Sequence, residues 1–290
     1  MNVALIGCGR LGTNLGFQLS KSGYNLIGLA SKTIESARNL GEKTGVDKIS
    51  SDAINITKNA DLIFICTPDD IIEKLCKKIS QNNGFKNNSV VIHLSGSLPS
   101  TILESARKSG SKIASMHPLQ SFADTSCEHN LFEDIYVSVE GDKDAVQVAS
   151  KVGLDLGAHV IKIKTQAKTL YHAAAVVASN YLVTIQFLAQ ELNKIAGISS
   201  TDSFKSLKPL INGTLANIEQ LGIPDALTGP IVRGDVEIIE KHIQKIEENN
   251  PDLSDLYKIL GKYTNIIAEL KGGRTMEVSE KIKSLLNTNG

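Results

Sequence analysis

Several things are missing from this 290-residue chain. Tryptophan is absent and aromatic residues make up only 4%, so the core has to be built from aliphatic side chains. Its four cysteines, Cys8, Cys66, Cys76 and Cys127, show no Cys-x-x-Cys spacing. That excludes the common zinc and dithiol motifs, so no metal site is expected, and the thiols read as buried and free in a reducing compartment. Neither sign of charge is in excess: Lys plus Arg and Asp plus Glu each total 31. A nucleic-acid-binding surface or a basic membrane tether would need a surplus of cations. The longest wholly apolar run, Ala173–Ala178, is far shorter than the ~20 residues of a spanning helix. The N-terminus enters an apolar strand at once, with no charged leader, so a secretory signal is not expected. These absences point to a cytoplasmic protein that works on a small molecule, not on nucleic acid or a membrane.

What is present is concentrated in the first thirty residues. Val3-Ala4-Leu5-Ile6 leads into Gly7-Cys8-Gly9-Arg10-Leu11-Gly12; an amphipathic segment to Lys21 follows, then a second apolar run, Leu26–Ala30. In the order strand, glycine turn, helix, strand, a G-x-G-x-x-G is a dinucleotide-binding fingerprint. Gly7 permits the turn, Gly9 lets backbone approach a pyrophosphate, and Gly12 lets helix pack on strand. Arg10 and Leu11 open the helix, whose first amides and partial positive charge face the phosphates.

The alternation continues. Ala60–Cys66, Ser89–Leu94, Lys112–Met116, Ile135–Val139 and His159–Ile163 read as strands. Helical patterns follow Pro68, run from Ser97 or Ser100 (as caps) to Lys108, and span Ala145–Leu156. Continuously apolar strands are buried on both faces, which predicts a mostly parallel, doubly wound α/β sheet. After residue 163 the texture changes. Thr165–Ala196 is one long helical pattern, and Asp202–Leu221, Asp235–Glu248, Leu253–Leu270 and Met276–Leu286 follow it. We expect a Rossmann-type domain over residues 1–163 and an all-helical substrate and dimerisation domain over 164–290, the long helix forming a homodimer interface.

The end of the second strand selects the nicotinamide cofactor. NAD-selective folds place an acid there for the ribose 2′-hydroxyl. This chain has Ala30-Ser31-Lys32-Thr33, and the first acid, Glu35, comes a helical turn late. Lys32 attracts a 2′-phosphate, and Ser31 and Thr33 can donate to it. The expected cofactor is NADP(H).

Strand C-termini border the ligand crevice in such sheets. Thr67-Pro68 is expected to shape the wall beside the cofactor riboses, and Ser95-Gly96 to offer a hydroxyl and an N–H to a substrate carboxylate. His117 either lines the crevice or packs under Pro118, and His93, inside a strand, reads as a satisfied core residue. On the long helix Lys168, His172 and Ser179 share a face at 100° per residue, and Asn180 is read with them. His172 or Lys168 can supply the proton that carbonyl reduction requires, with an amide holding the substrate. The competing reading is a histidine bonded to nearby backbone in an alanine-rich seam. Arg233, just before a helix expected to be capped by Asp235, can clamp a carboxylate or serve structure.

Four motifs in order carry a resemblance to a known family: His93-Leu94-Ser95-Gly96, His117-Pro118-Leu119-Gln120-Ser121-Phe122, Tyr171-His172-Ala173-Ala174-Ala175 through Ser179-Asn180, and Thr228-Gly229-Pro230-Ile231 with Arg233-Gly234-Asp235. Over nearly its whole length the chain resembles the Rossmann-like and DUF2520 proteins, which are similar to the 6-phosphogluconate dehydrogenase-like superfamily. That resemblance implies an NADPH-dependent reductase, and some members look like alternative ketopantoate reductases that convert 2-dehydropantoate to pantoate. In the wider superfamily a proton-donating lysine lies four residues before an asparagine. With Asn180 as that asparagine, Val176 occupies the lysine's place, so the acid has to be His172 or Lys168. The resemblance also makes Ser95-Gly96 a carboxylate-holding element. An imine reductase of the pyrroline-carboxylate type and a non-catalytic NADP(H)-binding regulator are the alternatives.

Overall fold

The computed structural model describes residues 1–287, in two compact units that divide between Ala178 and Ser179. The division falls inside the long helix rather than ahead of it at residue 164.

The first unit is built on an eight-stranded sheet. Its strands are β1 (Asn2–Ile6), β2 (Asn25–Ala30), β3 (Ile49–Ser50), β4 (Leu62–Ile65), β5 (Val90–His93), β6 (Lys112–Pro118), β7 (Tyr136–Gly141) and β8 (His159–Lys162), in the order β3-β2-β1-β4-β5-β6-β7-β8. Helices α1 (Arg10–Lys21), α2 (Ile34–Thr44), α3 (Ile54–Thr57), α4 (Asp69–Gln81), α5 (Glu104–Lys108) and α6 (Lys143–Asp155) connect them. The period of two sends successive residues of β1 to opposite faces. Val3 and Leu5 pack with Leu15, Leu29 and Phe64 on one side, while Ala4 and Ile6 pack with Ile63, Ile65 and Val91 on the other. Each such fully buried Leu or Ile contributes about 1.5–3 kcal/mol. All pairings are parallel except β6–β7, which is antiparallel. The segment between those two strands holds no crossover helix, and a parallel return would need one. The pair β3 and α3, two and four residues long, is too short to show a period in the sequence.

Neither Ser97 nor Ser100 caps α5, contrary to expectation. A short 3₁₀ turn over Ser100–Leu103 precedes that helix; the Ser97 hydroxyl donates to Asp69 and the Ser100 hydroxyl to Glu140.

The long helix α7 spans Lys168–Ile195. After it come α8 (Ser200–Leu221), α9 (Pro230–Arg233), α10 (Val236–Asn249), α11 (Pro251–Lys271) and α12 (Met276–Leu285). Ser199, Asn250 and Thr275 cap α8, α11 and α12 by accepting from Asp202, Leu253 and Val278 amides. Ile231, Ile239, Ile243, Ala268 and Ile282 form the core of the second unit. Apolar side chains of α7 and α8 stay exposed, among them Tyr181, Val183, Phe187, Phe204, Leu210 and Leu215. By length and composition Thr165–Ile195 is long and apolar enough to cross a membrane. The uninterrupted run Ala173–Ala178 understates this helix, because Ser179, Asn180, Tyr181 and Thr184 break the run without adding charge.

Candidate active site

The three glycines of the fingerprint have three different reasons to be glycine. Gly7 adopts φ +96°, and a Cβ there would lie 2.7 Å from the Cys66 carbonyl carbon. A Cβ on Gly12 would fall 1.8 Å from the Gly7 oxygen, so helix and turn are in direct backbone contact. A Cβ on Gly9 would meet nothing within 4 Å, so the turn is open where a pyrophosphate has to approach. The bond from Thr13 N–H to the Gly9 carbonyl at 2.8 Å begins the α1 ladder, and the amides of Arg10, Leu11 and Gly12 lie ahead of it. No acid occupies the first turn of α1. Ser31, Lys32 and Thr33 follow β2, with Lys32 and Thr33 exposed, while Glu35 pairs with Arg38. The buried Thr67 hydroxyl, at the end of β4, has no hydrogen-bond partner among the described residues. The open turn, the amides and the unopposed cation fit an anionic dinucleotide carrying a 2′-phosphate.

Beside this turn, the loop after β5 is held from several directions. The Ser95 N–H donates to His93 Nδ1 at 3.2 Å, and His93 Nε2 meets the Pro99 carbonyl at 3.2 Å. His93 thus accepts at one nitrogen and donates at the other, which requires the neutral ring. Burial, followed by the charge of Lys168, pushes its pKa down to about 3. It is the satisfied core histidine expected from its place within a strand. The Ser95 hydroxyl donates to Asp69 Oδ2 at 2.9 Å and accepts the Leu98 N–H at 3.1 Å. Ser97 Oγ also donates to Asp69 Oδ2, at 2.6 Å.

Two imidazoles converge on the next residue. A Cβ on Gly96 would lie 2.5 Å from His172 Nδ1 and 2.7 Å from His117 Nε2. The rings of His117, at the end of β6, and His172, in the second turn of α7, stand edge to face with centroids 5.8 Å apart. The Nδ1 atoms of both rings are buried without a hydrogen-bond partner among the described residues. Burial, followed by the charges of Lys168 and His172, lowers the His117 pKa to about 4. These groups line a cavity of about 270 Å³ with Leu11, Thr67, Asp69 and Ser95, next to the start of α1. Lys168 is absent from that lining. It is only 1% exposed and donates to Ser115 Oγ within β6. Burial lowers its pKa to about 8, against the raising influence of Glu140 and Asp69. Glu140 is itself buried and accepts from the Ser100 N–H and hydroxyl and from Thr165 Oγ1.

The first unit therefore brings Leu11, Thr67, Ser95, Gly96, His117 and His172 to one cavity, with Gly7 and Gly12 against Cys66 in its wall, Gly9, Arg10 and Pro68 next to these in the chain, and Lys168 behind it. Ser179 and Asn180 belong to the second unit and are exposed, so one face of α7 runs from a buried lysine to exposed polar groups. Two expectations need correction. The proton of the Ser95 hydroxyl is already committed to Asp69, whereas the Gly96 N–H has no partner among the described residues. Arg233, also in the second unit, bonds Asp235 through Nε at 2.9 Å and is paired with it through Nη2 at 2.8 Å. Asp235 accordingly makes no side-chain cap for α10. Asp69 stood in the sequence as Thr-Pro-Asp at a strand end, whereas Ser115 and Glu140, inside strands, gave no signal.

Comparisons with known proteins bear on the fold and on the cofactor. Residues 2–96 match the family described as NADP oxidoreductase, coenzyme F420-dependent, and residues 135–264 match the domain of unknown function DUF2520. No curated protein matches the chain. Among solved structures, a candidate NADP oxidoreductase of Bacteroides fragilis is 26% identical over 92% of this chain and 98% of its own, with a TM-score of 0.75. A Thermotoga maritima protein, TM1727, is 27% identical over 93% and 99%, with a TM-score of 0.72. An imine reductase of Myxococcus stipitatus solved with NADP+ shares the fold, at 16% identity over 97% and 99% and a TM-score of 0.65. These matches support a Rossmann-type, NADP(H)-binding oxidoreductase with NADP(H) as the cofactor; the DUF2520 match begins within the first unit, at residue 135, and not at residue 164.

Proposed function

We propose that the chain is an NADPH-dependent reductase of a small 2-keto acid, 2-dehydropantoate first among them, giving pantoate for pantothenate and coenzyme A synthesis. The observation that carries this reading is the meeting of His172 and His117 over Gly96, beside the fingerprint turn. Arg10, Leu11 and Gly12 would hold the pyrophosphate through their amides, Ser31, Lys32 and Thr33 the 2′-phosphate, and Thr67 and Pro68 the wall beside the riboses. NADPH, when bound, supplies the hydride to the carbonyl carbon. As the C=O π pair moves onto oxygen, the imidazolium of His172 gives that oxygen its proton, and the ring is protonated again from solvent. His117, held neutral, accepts or donates one hydrogen bond and orients the substrate. The Gly96 N–H receives the substrate's carboxylate.

A second reading, imine reduction, draws on Asp69. That carboxylate lines the cavity, suits a cationic iminium, and would ask nothing of an acid. Following loss of reduced-nicotinamide absorbance with 2-dehydropantoate, other 2-keto acids and cyclic imines tests both. Turnover of 2-dehydropantoate above the others supports the proposal, turnover of imines alone replaces it, and NADPH binding with no turnover makes the chain a regulator.

The active form is a homodimer in which a second copy covers the exposed apolar face of α7 and α8, too large a set of apolar side chains to be left in water.

A further inference from the structure

A fully buried lysine needs a reason, because an ammonium taken out of water is costly unless its surroundings answer it. Lys168 is 1% exposed, and its Nζ donates to Ser115 Oγ. Ser115 Oγ in turn donates to the Ser95 carbonyl at 3.4 Å. That carbonyl belongs to the peptide joining Ser95 to Gly96, the residue on which His117 and His172 converge. The Ser95 N–H is held by His93 and its hydroxyl by Asp69, Ser97 and Leu98. The one remaining polar atom of Ser95, its carbonyl, is thus the end of a chain that begins at Lys168.

We infer that Lys168 is a positioning residue and not the proton donor: through Ser115 it fixes the Ser95–Gly96 peptide from behind, and its charge acts on the His117 ring that faces the substrate. This rests on the reductase reading of the site. The geometry separates the two roles, since His172 lines the cavity and Lys168 and Ser115 do not. The charged and titratable groups around the ammonium are Asp69 on α4, His93 on β5, His117 on β6 and Glu140 on β7; His172, one turn further along α7, faces His117. Burial lowers the lysine's pKa to about 8, so it carries its charge at neutral pH and sheds it in mild alkali. Burial is also the larger cause of the low His117 pKa, and Lys168 the next. Removal of the ammonium should therefore let His117 take a proton more readily.

The test pairs Lys168→Met, which keeps the length of the side chain, with Ser115→Ala, which cuts the link and leaves the charge. Imidazole titration by NMR, in protein without substrate, should show the His117 midpoint rising from about 4 in Lys168→Met and staying in place in Ser115→Ala. In turnover, both variants should lose about tenfold in kcat with NADPH binding kept, and the acid limb of the pH profile should shift only in Lys168→Met. An unchanged His117 midpoint in a folded Lys168→Met would overturn the inference. So would loss of turnover by about 10³-fold in Lys168→Met beside an unaffected Ser115→Ala, the pattern of a proton donor. If the wild-type protein turns over no carbonyl or imine, the reductase reading fails, and the titration still decides what Lys168 does to His117. Should Lys168→Met not fold, Lys168→Gln takes its place in the titration.

Discussion

The imidazoles of His117 and His172 stand edge to face, at an interplanar angle of 80°, with Gly96 between them and a buried lysine behind. One ring comes from a strand end and the other from a helix. Burial, followed by the charge of Lys168, lowers the pKa of His117 to about 4. The following predictions start from that arrangement.

Replacing His172 with alanine removes the donor and leaves the fingerprint turn intact. Turnover should fall by about 10²-fold or more, while NADPH affinity, read by nucleotide fluorescence, stays within about twofold. Unchanged turnover removes His172 from the mechanism.

Gly96→Ala puts a methyl group 2.5 Å from one ring nitrogen and 2.7 Å from the other, so at least one ring has to move. The backbone of Gly96 is not in the left-handed region, so the effect belongs to the site and not to the turn. We expect kcat to drop more than tenfold with a small change in melting temperature. A large loss of stability with normal kcat in the folded fraction would contradict this.

Lys32 faces solvent after β2 and has no acid within its own turn. A charge-assisted bond to a 2′-phosphate contributes about 1.5–3 kcal/mol, so Lys32→Ala should lower the NADPH-over-NADH ratio of kcat/KM by about tenfold or more. The loss should be greatest at low salt. An unchanged ratio would move the selectivity elsewhere.

Stability should fall in acid. In the unfolded chain His93 and His117 take protons near pH 6.5, whereas in the folded protein their pKa values are pushed down to about 3 and about 4. The stability tied to the neutral rings is fully present above pH 6.5. It is lost as pH falls toward 4 for both and toward 3 for His93, at about 1.4 kcal/mol per pH unit for each ring. Denaturant midpoints between pH 7 and 4 read this directly, and His93→Gln should flatten the slope by one ring's share. Lys168 acts in the opposite range: with its folded pKa near 8, its burial weighs against the fold below that pH and is relieved as pH rises toward the unfolded value of 10.5.

Val183 and Phe187 are more than half exposed on α7. If a second copy covers them, Val183→Glu should turn a sedimenting dimer into a monomer in detergent-free buffer. A wild-type protein that is monomeric in buffer, or that enters only the detergent or lipid fraction, would refute the dimer.

Much of this was legible in the residues because it is local. Gly7, Gly9 and Gly12 sit within six residues, and the reasons they are glycine are backbone geometry over one turn. Apolar strands without alternation imply burial on both faces wherever the strand lies, and a period of 3.6 announced α7 and the helices after it. The missing acid after Ala30 likewise spoke for itself. These features depend on neighbours a few residues away.

What only the tertiary structure decided is where distant polar groups meet, and which of them are already spoken for. Helical spacing put Lys168 and His172 on one face, yet only the packing of α7 against β6 buries the first and leaves the second lining a cavity. Ser115 sits in a strand with nothing to mark it until Lys168 arrives from far along the chain. Ser95 read as a free hydrogen-bond donor and Arg233 as either a carboxylate clamp or a structural group; Asp69 and Asp235 take them, because a charged or polar group satisfies its bonds with the nearest partner the fold supplies. The amino-acid sequence by itself marked Gly7–Gly12 as a dinucleotide-binding fingerprint; the fold determined that two histidines face each other across Gly96, since contacts between strand ends and a helix are made by topology and not by spacing.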